Sequence, residues 1–206
     1  MATPGAKSRE IVRIEGRAVA VRGDNIDTDR IIPARFLLCV TFDGLGEHAF
    51  EDDRKALAEK GRTHPFDNPR HQGASILVVN RNFGSGSSRE HAPQSLQRWG
   101  IRTVIGESFA EIFFGNCQAL GLPCITAPKG DVETLQKHVE ANPAGKVALD
   151  LSTLVVSWGD RNFHGHMPSG PRDAFIRGTW DVTGLLLDGP GEVEAVAARL
   201  PYLRGF

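Results

Sequence analysis

Three patterns are missing from this chain, and each absence removes a class of function. Charge of one sign is the first: 24 Lys and Arg stand against 25 Asp and Glu, a formal net charge of −1 over 206 residues. Proteins that track phosphates show a basic excess or a basic stripe, so no nucleic-acid partner is expected. Paired cysteines are the second. The three thiols, Cys39, Cys117 and Cys124, are odd in number and form no CxxC pair. A disulfide framework or a zinc site held by this chain is therefore not expected, and reduced thiols suit a cytoplasmic protein. Long apolar runs are the third: nothing approaches the roughly 20 residues of a membrane span. The opening "MATPGAKSRE" also lacks the apolar stretch of a signal peptide.

What is present is ordinary and globular. The apolar share is 40%, and this length suggests one domain, 1–206, with residues 1–9 and about 189–206 peripheral. Such a chain can bury roughly 70% of its unfolded surface. The stretch 10–22, "EIVRIEGRAVAVR", alternates apolar and polar residues and reads as two short strands around a Glu15-Gly16 turn. "GDNIDTDRIIP" is a polar loop, and Gly44 and Gly46 suggest mobility in the mixed segment from Ala34 to Arg54. "GRTHPFDNPRHQGA" is loop as well.

Regularity follows. "SILVVN" (75–80) is a continuous β-branched run, as in a strand covered on both faces. A helix is expected from about Ser88 to Trp99, a strand at 102–107, a helix at 109–121 and a strand at 123–127. That alternation is a βαβαβ unit with a parallel sheet and right-handed crossovers. A further helix is expected at 131–142, opening with Asp131 and Glu133. A hairpin in "KVALDLSTLVVSWG", a short helix in "PRDAFIRGTW" and a terminal helix complete a three-layer α/β domain.

Two loops carry the chemistry. In "NFGSGSSREHA", Ser87-x-x-Glu90 fits a capping box, which would make Ser87 the cap of the following helix. Gly84 and Gly86 allow close backbone approach and leave N–H groups free to face a ligand. A helix N-terminus adds positive potential, and Arg89 adds a planar fork suited to carboxylate. Arg89 also occupies the third glycine place of G-x-G-x-x-G, which argues against a dinucleotide. No GxxxxGK[ST] and no G-x-S-x-G occur. A small carboxylate or phosphate facing serine hydroxyls remains. The second loop, "GDNIDTDR", places Asp24, Asp27 and Asp29 within six residues. Its spacing lacks the glycine and glutamate of a calcium loop, and the adjacent Arg30 suggests an internal ion pair or a supporting role behind the site. His164 and His166 lack the further ligands a metal would need. Phe113, Phe114 and Leu120 fall at helical spacing as core.

"GDNIDTDRIIPARFL" (23–37) taken with "NFGSGSSREHAPQSLQRWGIRTVIGESFAEIFFGNC" (82–117) closely resembles the small subunits of bacterial 3-isopropylmalate dehydratases, of the aconitase superfamily. The likeness extends to "QGASILVVNRNF" and weakly to "PRDAFIRGTWDVTGLLLD". It implies the swivelling β/β/α fold of an aconitase C-terminal domain and a hydro-lyase of leucine biosynthesis. Such an enzyme moves a hydroxyl between neighbouring carbons of a small dicarboxylate. The resemblance implies Ser87 as the base, Ser88, Arg89 and Gly86 at a substrate carboxylate, and Asp29 supporting the site's hydrogen bonds. It also implies a 4Fe–4S cluster held by a separate large subunit, with no cofactor bound by this chain. Aconitase's arginine for the distal carboxylate finds no clear counterpart in "RFLLCVTFDGLGE" (35–47). That loop is apolar at Phe36, Leu37, Leu38 and Val40, which suits an isopropyl group, and it is the candidate specificity loop. Related hydratases of homoaconitate, methylcitrate or dimethylmaleate, or a non-catalytic anion-binding module, are the alternatives.

Overall fold

The structure, a computed structural model, describes residues 9–39, 41–187 and 189–203. Its centre is a mixed sheet of seven strands among the described residues. Strand β1 (Arg13–Ala20) runs parallel to β2 (Ile76–Val78), β2 to β3 (Thr103–Gly106) and β3 to β4 (Cys124–Thr126). Beyond the other edge of β1 the sheet turns antiparallel through β5 (Lys146–Asp150), β6 (Val155–Trp158) and β7 (Arg161–His164).

Strand alternation divides the core into two. Val19, Leu77, Val79, Val104 and Cys124 face one layer, while Ala18, Ala20, Ile76, Val78, Ile105 and Ile125 face the other. In β2 and β3 every residue is buried, as the continuous apolar run 75–80 predicts for a strand covered on both faces. The short helix α1 (Thr28–Ile31) and α2 (Glu51–Glu59) precede α3 (His91–Trp99) and α4 (Glu111–Ala119). Leu96 of α3, Ile31 of α1, and Phe113 and Cys117 of α4 join the first core. Helix α5 (Lys129–Ala141) sends Val132, Leu135 and Val139 into the second, where Val147, Leu149, Val156 and Phe163 of the antiparallel strands meet them. The β2–α3–β3–α4–β4 run is the expected βαβαβ unit, and with the antiparallel strands it makes the expected three-layer β/β/α domain.

The sheet curls until its ends touch. Beyond β7, the His166 N–H donates to the Thr126 carbonyl at 2.7 Å, and the Thr126 N–H donates back at 3.0 Å. Helix α6 (Ser169–Arg177) then packs Phe175 on the second core. Two further helices, α7 (Val182–Leu187) and α8 (Pro190–Ala197), follow, and a 3-10 turn at Pro201–Leu203 ends the described chain. Arg9 ties the chain's start to this region: its carbonyl accepts from Trp180 Nε1 at 2.6 Å, and its Nε pairs with Asp181 at 3.1 Å. No helix among the described residues is long and apolar enough to cross a membrane.

Three expectations are corrected. Residues 10–22 form one strand, not two around a turn. Gly16 lies inside β1 opposite Val147, and a Cβ there would lie 2.0 Å from Ser75 Oγ. The glycine serves close approach of a neighbouring chain, a recognised reason for glycine in a strand. Gly46 does not loosen its segment: Leu45–His48 forms a 3-10 turn in which Leu45 and Gly46 are buried. The polar loop 23–33 contains α1, because Asp27 caps it by accepting the Arg30 N–H at 2.8 Å.

His64 makes the fold sensitive to acid. It is 3% exposed, and its Nδ1 accepts the Phe66 N–H at 3.1 Å. Burial holds its pKa down at about 4, against about 6.5 in an unfolded chain. Below about pH 6.5 the unfolded chain therefore binds the proton first, so stability falls as pH drops and levels off near pH 4. The loss from this residue should be on the order of 2–3 kcal/mol. His71, whose pKa burial also lowers, adds with the same sign. Urea unfolding at stepped pH should show this slope, and His64→Asn should flatten it; an unchanged slope in that variant would remove His64 as its source.

Candidate active site

Parallel strands that leave a sheet side by side deliver their following loops to the same end of it, where α/β sheets bind ligands. Here the loops after β1, β2 and β3 lie together, with the serine loop in the middle. On one side the Asn25 N–H donates to the Arg81 carbonyl at 2.9 Å, the Gly84 N–H to Ile26 at 2.7 Å and the Thr28 N–H to Ser85 at 2.8 Å. On the other, the Phe83 N–H donates to Ser108 at 3.1 Å and the Ala110 N–H to Phe83 at 3.0 Å. Ile26 and Phe83 anchor the two loops in the core at 0% and 1% exposure. Gly84, at φ +78, sits where a Cβ would lie 2.2 Å from Phe113 Cγ, so the loop can lie on that ring only without a side chain.

This juxtaposition brings Asp29 to Arg89. Arg89 Nη1 donates to Asp29 Oδ1 across sixty positions of sequence, with the Arg89 side chain one-fifth exposed and the Asp29 side chain about half exposed. Ser87 and Ser88 are exposed beside them, and so is Gly86, at φ +97. The remaining acids have other tasks. Asp24 accepts the Arg81 N–H at 3.3 Å, and Asp27 caps α1. The Arg30 side chain does not pair with its neighbouring aspartates; it reaches Asp53 on α2 at 2.8 Å, and only its backbone N–H serves Asp27.

The capping box is not formed. Helix α3 starts at His91 with Glu90 as its cap, and the Glu90 carboxylate accepts Gln94 Nε2 at 2.8 Å instead of reaching back. The Arg89 N–H closes a tight turn on the Ser87 carbonyl at 2.8 Å. Ser87 is thus drawn into the pairing with the first loop and cannot take up cap geometry for a helix three residues on.

The segment after Pro33 is ordered by charge and stacking. Arg35 is held by Asp52 at 2.7 Å and Glu51 at 3.0 Å. Lys55, His48 and Arg35 together keep the Glu51 carboxyl at about 2. Phe36 stacks on His48 with centroids 4.0 Å apart, so it is packed and not presented. Leu37 is half-buried, whereas Leu38 is 90% exposed. Val40 lies outside the described residues. Phe42 packs edge-on against His91 at 5.1 Å, which seats the segment on the start of the helix that follows the serine loop.

A polar residue inside the apolar run 75–80 is the signal that sequence reading passed over. Asn80 is 8% exposed, and its Oδ1 accepts from Gly23 N–H and from Gln136 Nε2, both at 3.1 Å. Its Nδ2 donates to Glu107 at 2.8 Å. One side chain thus clamps the bases of all three loops to α5. His164 and His166 are exposed near the sheet seam, and no group of three or more potential ligands gathers among the described residues.

A family model described as the aconitase C-terminal domain matches residues 9–130. A 3-isopropylmalate dehydratase small subunit from Synechocystis sp. is 54% identical over 94% of this chain and 96% of its own length. The chain belongs to the 3-isopropylmalate dehydratase small-subunit family. The corresponding subunit of Thermus thermophilus is 48% identical, over 93% of this chain and 95% of that relative. Among solved structures, a 3-isopropylmalate dehydratase from Methanocaldococcus jannaschii matches at a TM-score of 0.65 and 26% identity. It covers 87% of this chain and 99% of that one. The fold described above is thus that of the aconitase C-terminal domain family.

Asn80→Ala should destabilise the chain by about 2–3 kcal/mol, since it leaves the fully buried Gln136 amide and the Gly23 N–H without their shared acceptor. Chemical denaturation measures this; a loss under about 0.5 kcal/mol, the range of an ordinary surface change, would show the clamp to be dispensable.

Proposed function

We propose that this chain is the small subunit of a 3-isopropylmalate dehydratase and works as one swivelling domain, supplying one half of an active site. The observation that carries the reading is the meeting of Asp29, Ser87, Ser88 and Arg89 where three parallel strands release their loops. Ser87 is the base. As its alkoxide it takes the proton from one carbon of a 2-hydroxy dicarboxylate and becomes the neutral hydroxyl, while the neighbouring carbon loses its hydroxyl group as hydroxide, which takes up a proton to leave as water. Readdition of water in the opposite sense delivers the isomer.

A serine hydroxyl is a weak base unless nearby positive charge stabilises its alkoxide. Arg89 is the adjacent cation. Asp29 engages its Nη1, which leaves the Nε–Nη2 edge as a fork for a substrate carboxylate, with Ser88 and the Gly86 backbone alongside. Asp29 holds the guanidinium in place. The exposed Leu38 is the apolar group that the 35–47 loop presents to the substrate's isopropyl group, while Phe36 and Leu37 pack within that loop.

The thiols of this chain do not fit an iron–sulfur cluster: Cys39 is exposed, while Cys117 and Cys124 are buried against each other. The 4Fe–4S cluster, which supplies a Lewis-acid iron for the substrate's hydroxyl, is assigned to the large subunit. Exposure of Ser87 and Ser88 suits a half-site that such a partner covers.

Co-expression with the candidate large subunit, anaerobic cluster reconstitution and the absorbance of isopropylmaleate test the assignment. Turnover should come from the mixture and from neither part alone; turnover by the large subunit alone overturns it. Ser87→Ala should lower kcat by about 10²–10⁴-fold while substrate still binds, and a near-normal rate moves the base elsewhere. Arg89→Lys should chiefly raise KM, since an ammonium cannot reproduce the fork.

A further inference from the structure

We infer that Thr28 is a positioning residue for Ser87, fixing the serine peptide from the neighbouring loop through a hydroxyl-to-carbonyl hydrogen bond. This rests on the reading of Ser87 as the base. Thr28 lies between two aspartates yet is only 2% exposed, one of eight buried polar side chains among the described residues. Its backbone N–H donates to the Ser85 carbonyl at 2.8 Å, and its Oγ1 donates to the Ser87 carbonyl at 3.2 Å. One residue thereby holds the carbonyls on both sides of Gly86.

Gly86 is the point of freedom in that stretch. At φ +97 it occupies a region that glycine enters readily and other residues avoid. Without a restraint downstream, rotation about Gly86 would swing the Ser87 hydroxyl relative to Arg89. The Thr28 hydroxyl supplies that restraint, and a Cβ built at Gly86 would lie 3.4 Å from the same oxygen. The Ser87 carbonyl also accepts the Arg89 N–H at 2.8 Å. Removing the threonine hydroxyl therefore leaves that carbonyl with one donor. The fold should survive while the serine loses its fixed orientation.

Thr28 also ties the base to its cation. It stands immediately before Asp29, which holds Arg89. The dipeptide Thr28-Asp29 thus sets the serine peptide with one side chain and the guanidinium with the next. A hydroxyl at position 28 is required by this arrangement; a methyl in its place fills the space and cannot donate.

Thr28→Val, Thr28→Ser and Ser87→Ala in the assembled, reconstituted enzyme test the inference. Thr28→Val should keep its melting temperature within a few degrees. Its kcat should fall about ten- to a hundred-fold, the range of a small misplacement of a reacting group, with KM changing much less. Thr28→Ser, which restores the donor, should return most of that kcat. In the chain alone, hydrogen exchange of the Arg89 amide should be faster in Thr28→Val than in the parent. Parental kcat in Thr28→Val beside an inactive Ser87→Ala overturns the positioning role and leaves the base assignment standing. A kcat loss that Thr28→Ser fails to restore overturns it too. Parental turnover by Ser87→Ala overturns the base assignment itself and this role with it.

Discussion

The site depends on backbone pairing between two loops that are far apart in sequence. Asn25, Thr28 and Gly84 donate across the gap between 25–28 and 81–85, extending the parallel pairing of β1 and β2 beyond the point where either is a strand. A loop holding two glycines at positive φ would otherwise sample many shapes, and ordering each residue costs roughly 1–2 kcal/mol. The ladder, the ring of Phe113 beneath Gly84 and the Asn80 clamp together hold one of them. The three-layer fold serves as the frame that makes neighbours of β1, β2 and β3.

Charge is divided among the acids so that each loop position meets a different demand. Asp27 serves the backbone, Asp24 takes both the Arg81 N–H and, at 3.6 Å, its guanidinium, and Asp29 serves the guanidinium of Arg89. Arg30 is drawn to Asp53 and away from the serine loop. The Arg89–Asp29 pair is partly open to water, where an ion pair contributes at most about 1 kcal/mol to folding. Such a pair is weak as a stabiliser. On the proposed reading that weakness is useful, because the cation can accept a second carboxylate without unfolding its surroundings.

Much of the fold was legible because two periodicities stand out in the middle of the chain. "SILVVN", "RTVIGE" and "PCITA" carry the apolar runs of covered strands, and the helices between them show apolar positions at helical spacing. Elements without such a signal went unread. Helix α2, "EDDRKALAE", buries no residue fully, so it has no apolar stripe to read, and β7 turns only Phe163 inward. Gly16 was misread because a glycine that makes room for Ser75 and one that makes a turn look alike in sequence. The capping box failed for a related reason: its spacing is local, whereas the backbone of Ser87 is claimed by a residue 59 positions earlier. The serine hydroxyls and Arg89 stood out as a candidate anion site from the loop's own chemistry, whereas Asp29's part and the separate roles of Ser87 and Ser88 were read from likeness to a family. Asn80 and Glu107 needed coordinates, since nothing in a single sequence marks which polar residue a fold will bury.

A protein made as one half of a larger machine must wait for the right partner without accepting wrong ones. Sheet edges are the usual weakness, because their free N–H and C=O groups invite any extended chain. Here the two hydrogen bonds between Thr126 and His166 draw the sheet's ends together, and its edge strands β4 and β7 are only three and four residues long. Little ribbon is left for strand addition or for self-templated aggregation. Recognition is thereby left to side chains and loops, which are selective about shape and charge.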